Sequence, residues 1–106
     1  MSMWFGASLL FKSTHVPSEG KPTIWEESIR LVWADNEAEA LEKAEKIGQS
    51  VAQTYEVEDG IVVWTFEKVE RVYSIDTENL RNGSEIFSRF LRDSEVQSLL
   101  TPFDED

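Results

Sequence analysis

Histidine, carboxylate and guanidinium groups carry most acid–base and anion chemistry, and in this 106-residue sequence they are thinly arranged for it. His15 is the single histidine, the one side-chain type whose ordinary titration falls near neutrality, and so the first candidate for a general base. It stands in a segment, Ser13 to Pro22, punctuated by Pro17, Gly20 and Pro22, which reads as a long loop with an exposed imidazole. Glu26 and Glu27 are adjacent in an alternating stretch. In a strand they point to opposite faces, so they cannot act as one carboxylate pair. Glu27 interrupts an apolar face of Trp25, Ile29 and Trp33. Buried unpaired charge is rare, so its expected place is the solvated end of a sheet, beside Arg or Lys. Arg89 and Arg92 flank an aromatic strand, with Phe87 and Phe90 beside or between them, and could grip an anion, although pairing with the abundant carboxylates is the simpler expectation.

Metal and cofactor chemistry find no support. Glu56, Glu58 and Asp59 form one acidic group and Asp104, Glu105 and Asp106 another, but neither follows the D-x-[DN]-x-[DN]-G loop with its distal Glu. A solvated turn and a charged tail are expected instead, with no metal site and no cofactor. There is no cysteine, which excludes disulfides, thiolate ligands and cysteine nucleophiles. A Gly-rich phosphate loop, a G-x-S-x-G elbow and a Ser-His-Asp spacing are all missing from the sequence. The reading is therefore of a protein that binds rather than catalyses. A small ligand site between a sheet and the 13–22 loop, using His15, Glu27 or Arg89, is the alternative.

The charge balance narrows the partner. With 21 acidic and 10 basic residues the net charge is −11, a field that repels nucleic-acid phosphate and anionic lipid and favours a basic protein surface. Neither nucleic acid nor membrane is expected as a partner; another protein or a homodimer is. Four tryptophans are many for this length. Trp25, Trp33 and Trp64 are expected to share the core, since Trp is highly buried on average. Trp4 lies on the far side of its strand from Phe5 and Leu9 and is the candidate for a surface that meets a partner.

The elements that must hold these residues follow from periodicity. Residues 3–14 read as a strand apolar on both faces from Trp4 to Phe11, which requires either a central position or a helix on one face and a partner on the other. The same alternation, with no basic n-region, distinguishes it from a secretion signal and points to a cytoplasmic protein. Thr23 to Ala34 alternates as a second strand and runs directly into a helix. Ala40, Leu41, Ala44, Ile47, Gly48 and Val51 make its apolar stripe, and Asp35 or Asn36 caps it, the latter at capping-box spacing from Glu39. A short strand near Tyr55 and the Glu58-Asp59-Gly60 turn lead to a β-rich run from Ile61 to Ile75. Val69 and Tyr73 fall out of the phase set by Val62, Trp64 and Phe66, so a bulge is expected near Glu67-Lys68. Asn82-Gly83 signals a hairpin into a strand from Ser84 to Leu91. A short helix capped by Asp93 or Ser94 and stopped before Pro102 closes the chain, with 103–106 as a frayed tail.

The expected architecture is one α+β domain over 1–106: a mostly antiparallel sheet of four to five strands, one long amphipathic helix packed on one face, and a short C-terminal helix, in the order β-β-α-β-β-β-α.

The runs WFGASLLF at 4–11, WEES at 25–28, EAEALEKAEKIG at 37–48, IVVWTF at 61–66 and EIFSRFL at 85–91 together resemble a family of small bacterial proteins catalogued only as a domain of unknown function. The resemblance supports the α+β reading and implies no catalytic residues.

Overall fold

The computed structural model describes residues 1–101 and 103. Its elements run β1 (Met3–Val16), β2 (Ile24–Ala34), α1 (Glu37–Val51), β3 (Gln53–Val57), β4 (Gly60–Ser74) and α2 (Asp93–Leu100). The four strands form one antiparallel sheet in the order β2-β1-β4-β3. β1 is therefore a central strand, as its two apolar faces require. The order is β-β-α-β-β-α, without the fifth strand expected over Ser84 to Leu91. Asn82-Gly83 does form a turn, closed by the Ser84 amide donating to the Arg81 carbonyl, but the chain then runs on irregularly beside Glu70–Ser74. A turn signal sets only local geometry; pairing needs an apolar face to bury, and Ile86, Phe90 and Leu91 are exposed.

Register decides which residues share a face. Met3, Phe5, Ala7, Leu9 and Phe11 stand opposite Ala34, Val32, Arg30, Ser28 and Glu26. On the other side of β1 the register slips twice, so that Glu70 and Glu67 drop out of the ladder. These two irregularities turn Trp64, Phe66, Val69 and Val72 onto one face despite their uneven spacing, and they include the bulge expected near Glu67. Phe5, Ala7, Leu9, Phe11, Val32 and Ala34 form the core with Ala40 and Ala44 of α1. Gly48 sits so near the sheet that a Cβ there would come within 2.4 Å of the Phe66 ring. That approach accounts for a glycine in the middle of a helix, where it costs about 1 kcal/mol relative to alanine.

Asn36 is the N-cap of α1. Its side chain accepts from the Glu39 amide at 2.9 Å, while the Glu39 carboxylate accepts from the Asp35 amide at 3.2 Å. α2 begins at Asp93 with Arg92 as the cap residue, displacing the expected Asp93 or Ser94. The Glu95 carboxylate accepts from the Arg92 amide at 2.8 Å, so the first turn is closed from within. The stop at Pro102 and the tail beyond Phe103 lie outside the described residues.

Candidate functional site: an open aromatic sheet face

The face of the sheet opposite α1 is covered by no helix among the described residues: Gly6 and Ser8 are buried on it, and its β2 side is exposed. It carries Trp4, Gly6, Ser8, Leu10 and Lys12 of β1 against Trp33, Leu31, Ile29, Glu27 and Trp25 of β2. Trp25 is 53% exposed, Ile29 52%, Leu31 60% and Trp33 47%. The expectation that Trp25 and Trp33 share the core is thereby corrected: strand alternation aligned them, but α1 lies on the other side. Trp64, in contrast, is partly buried against the core and donates its indole N–H to the Tyr55 hydroxyl at 3.2 Å. Trp4 packs edge-on to Trp33, ring centroids 4.9 Å apart, and Lys12 holds its ammonium 5.6 Å from the Trp25 ring. Both ends of the face are thus aromatic, with Leu31, Ile29 and Leu10 and the polar Ser8 and Glu27 between.

Glu27 is exposed on this face, between Trp25 and Ile29, and it has no basic partner in ion-pair contact among the described residues. Its carboxylate accepts from the buried Ser8 hydroxyl at 2.6 Å. On β4, Tyr73 lies across Gly6, where an added Cβ would meet its ring at 2.4 Å. Burial pushes the Tyr73 phenol above its ordinary 10.0, the Glu27 carboxylate adds to that, and Arg71 opposes it. Ser8, Tyr73, Ile29 and Leu31 are members of this surface that residue-type reasoning passes over. The signal for Ser8 is a lone hydroxyl inside the apolar run of β1; for the others only the register reveals them.

The chain after β4 returns to this face once. Phe87 stacks on Tyr73 with centroids 4.8 Å apart, and the guanidinium groups of Arg71 and Arg89 lie 5.2 and 5.9 Å from its ring. Arg89 thus faces an aromatic ring instead of the carboxylate partner expected for it, and Arg92 lies 3.7 Å from Glu95. Arg71, Ser88, Arg89 and Phe90 line a cavity of about 400 Å³.

His15 lies elsewhere. It is the penultimate residue of β1, not a loop residue, and its side chain is only 11% exposed. One ring nitrogen lies 2.6 Å from the Pro17 carbonyl and the other 3.1 Å from Asp59, which also receives the Lys21 ammonium at 2.6 Å. The Lys21 hydrogen bond, then that of His15, holds the Asp59 carboxyl below its ordinary 3.8. This trio pins the β1–β2 connection to the β3–β4 turn. From His15 to Gly6, beneath Tyr73, is about 30 Å along β1. His15, Glu27 and Arg89 therefore occupy separate parts of the sheet and do not converge on one pocket. Among the described residues no three acidic or histidine side chains gather as a metal site. Nor is any helix among them long and apolar enough to cross a membrane.

The chain belongs to the family described as Domain of unknown function (DUF4288), which it matches over residues 4–88. That span includes all of the sheet but Met3, takes in Phe87, and ends before α2. No curated protein and no solved structure matches the chain.

Proposed function

We propose that this domain is a non-catalytic protein-interaction module that uses its open sheet face to hold another polypeptide. The observation that carries the reading is the exposed apolar run of Ile29, Leu31 and Trp33, with Trp4 beside it and Trp25 beyond Glu27. Exposed apolar patches larger than a few hundred Å² are rare on isolated soluble domains and mark places where something binds. Tryptophan supplies the large, rigid contact area that dominates interface energetics. The chain's acidity would speed encounter with a basic target, so an inhibitor- or immunity-like role against a basic protein is the sharper form of the proposal, in a cytoplasmic setting. Self-association is the other form.

The test compares the native chain with Leu31→Glu, which places a charge in the centre of the face without touching the core. A protein bound by the native chain and lost with Leu31→Glu supports the reading. A native chain that neither self-associates nor retains any protein from its host overturns it.

A further inference from the structure

We infer that the occupant of the open face is a second copy of this chain, and that the segment seated there is its C-terminal arm, Arg89 to Leu100. The inference rests on the interaction reading above and names the partner. Among the described residues α2 packs against no other helix or strand of its own chain, and every residue from Arg89 to Leu100 is exposed. Yet the arm is apolar along one side: Phe90 and Leu91 precede α2, and Val96, Leu99 and Leu100 recur at i, i+3, i+4 within it. Eight residues are too few for a helix to persist in water on propensity alone, so this one needs a surface to pack on. The radius of gyration is 16.9 Å, against about 13 Å for a compact chain of this length. One copy leaves both an apolar arm and an apolar face uncovered.

Charge selects the arm over the simpler alternative of two open faces packed together. In that sandwich Glu27, exposed on the face and without a basic partner, would be desolvated against apolar side chains or a like charge. The arm is neutral as a whole, Arg89 and Arg92 against Asp93 and Glu95, but its two basic residues lead it, and Arg89 supplies the sign complementary to Glu27. Laid on the partner copy's face, Phe90, Leu99 and Leu100 meet Trp25, Ile29, Leu31 and Trp33 while Arg89 comes to Glu27. Area agrees. By the size of the exposed aromatic and aliphatic side chains, one such seam removes on the order of 800–900 Å² from water, and two reciprocal seams reach the roughly 1,600 Å² of a stable interface. A two-fold pair makes both seams at once.

Sedimentation velocity of the full chain over a wide range of concentration tests this. The expected result is a species of twice the 12.2 kDa chain mass. Leu31→Glu on the face and Leu99→Glu on the arm should each raise its dissociation constant by on the order of a hundredfold. Both residues are exposed, so the far-ultraviolet circular dichroism of each variant should match the native chain, and Ile29→Glu provides a second face variant. The decisive sample is the mixture. The intact arm of the Leu31→Glu chain fits the intact face of the Leu99→Glu chain, so mixing should restore a dimer weaker than the native one.

Failure of the mixture to associate, or a dimer that survives Leu99→Glu, overturns the inference. So does a monomeric native chain; if Leu31→Glu then still abolishes capture of another protein, the interaction reading stands and only the second copy falls. A dimer indifferent to Leu31→Glu removes both.

Discussion

The two faces of β1 are almost equally apolar in sequence, and they differ in what borders them on β2. Toward α1 lie Phe5, Ala7, Leu9 and Phe11, all buried; away from it lie the half-buried Trp4 and Leu10 and the buried Gly6 and Ser8, bordered by the exposed Trp25, Ile29, Leu31 and Trp33 of β2. Apolar content alone therefore does not distinguish core from binding surface. What distinguishes them is side-chain size and polar punctuation. The α1 side places Ala7, Ala34, Ala40, Ala44 and Gly48 where the helix must come close. The open side instead carries three tryptophans and a carboxylate–hydroxyl pair, which no close-packed helix layer would accommodate.

The sharpest way to break this comparison is to truncate one leucine on each face. Leu9→Ala, at a fully buried position, should lower unfolding free energy by about 2–5 kcal/mol in urea titration. Leu31→Ala, measured where the chain is dilute, should stay within about 0.5 kcal/mol of the native protein. Equal losses would mean that the open face is already covered within a single chain.

The glycines give a finer version. Gly48→Ala drives a methyl group into Phe66 across a packed interface; the overpacking should outweigh the improved helix propensity and leave a net loss of about 1 kcal/mol. Gly6→Ala meets the half-buried Tyr73 ring, which has solvent to move into, so its loss should be smaller and should appear as altered Tyr73–Phe87 packing in aromatic NMR shifts. Asn36→Ala removes the cap of the helix that defines the covered side and should cost about 0.5–1 kcal/mol by the same denaturation measurement.

The smallest effects are on pH, and the two regions respond at opposite ends of the scale. Asp59 titrates lower in the folded chain than its ordinary 3.8, so its contribution is present above that value and is lost as pH falls through the folded value. An NMR titration should show Lys21→Ala raising the Asp59 midpoint. Tyr73 titrates higher than 10.0, so its contribution is present below pH 10 and is lost as pH rises through its folded value. Absorbance of the phenolate should show one tyrosine titrating late.

Much of the framework can be read from residue order. The strand of 3–14, the run from Trp25 through the Asn36-capped helix, the short strand at Tyr55 and a bulge near Glu67 all rest on local periodicity or local hydrogen bonding, which travel with the sequence. The fifth strand over Ser84 to Leu91 does not form, because a strand exists only where a neighbour accepts its hydrogen bonds, and Asn82-Gly83 cannot supply one. His15 reads as an exposed loop residue because its proline- and glycine-containing surroundings are polar. Its shielding comes from Asp59 and Pro17, and Asp59 is 44 positions away.

For the candidate site the limit is sharper. Glu27 is visible as an oddity within an apolar face, and Trp4 as the residue across the strand from Phe5 and Leu9. That Trp25 and Trp33 join Trp4 rather than the core is invisible, because a period of two groups residues by face without saying which face a helix will cover.

By itself, then, the sequence determined the first four strands and both helices, the cap of α1, the acidic field and the two apolar sides of the first strand. Only the tertiary structure decided which side became interior. That choice depends on where α1 lands, and α1 lands where alanine and glycine let its backbone approach the sheet, leaving the tryptophan side open.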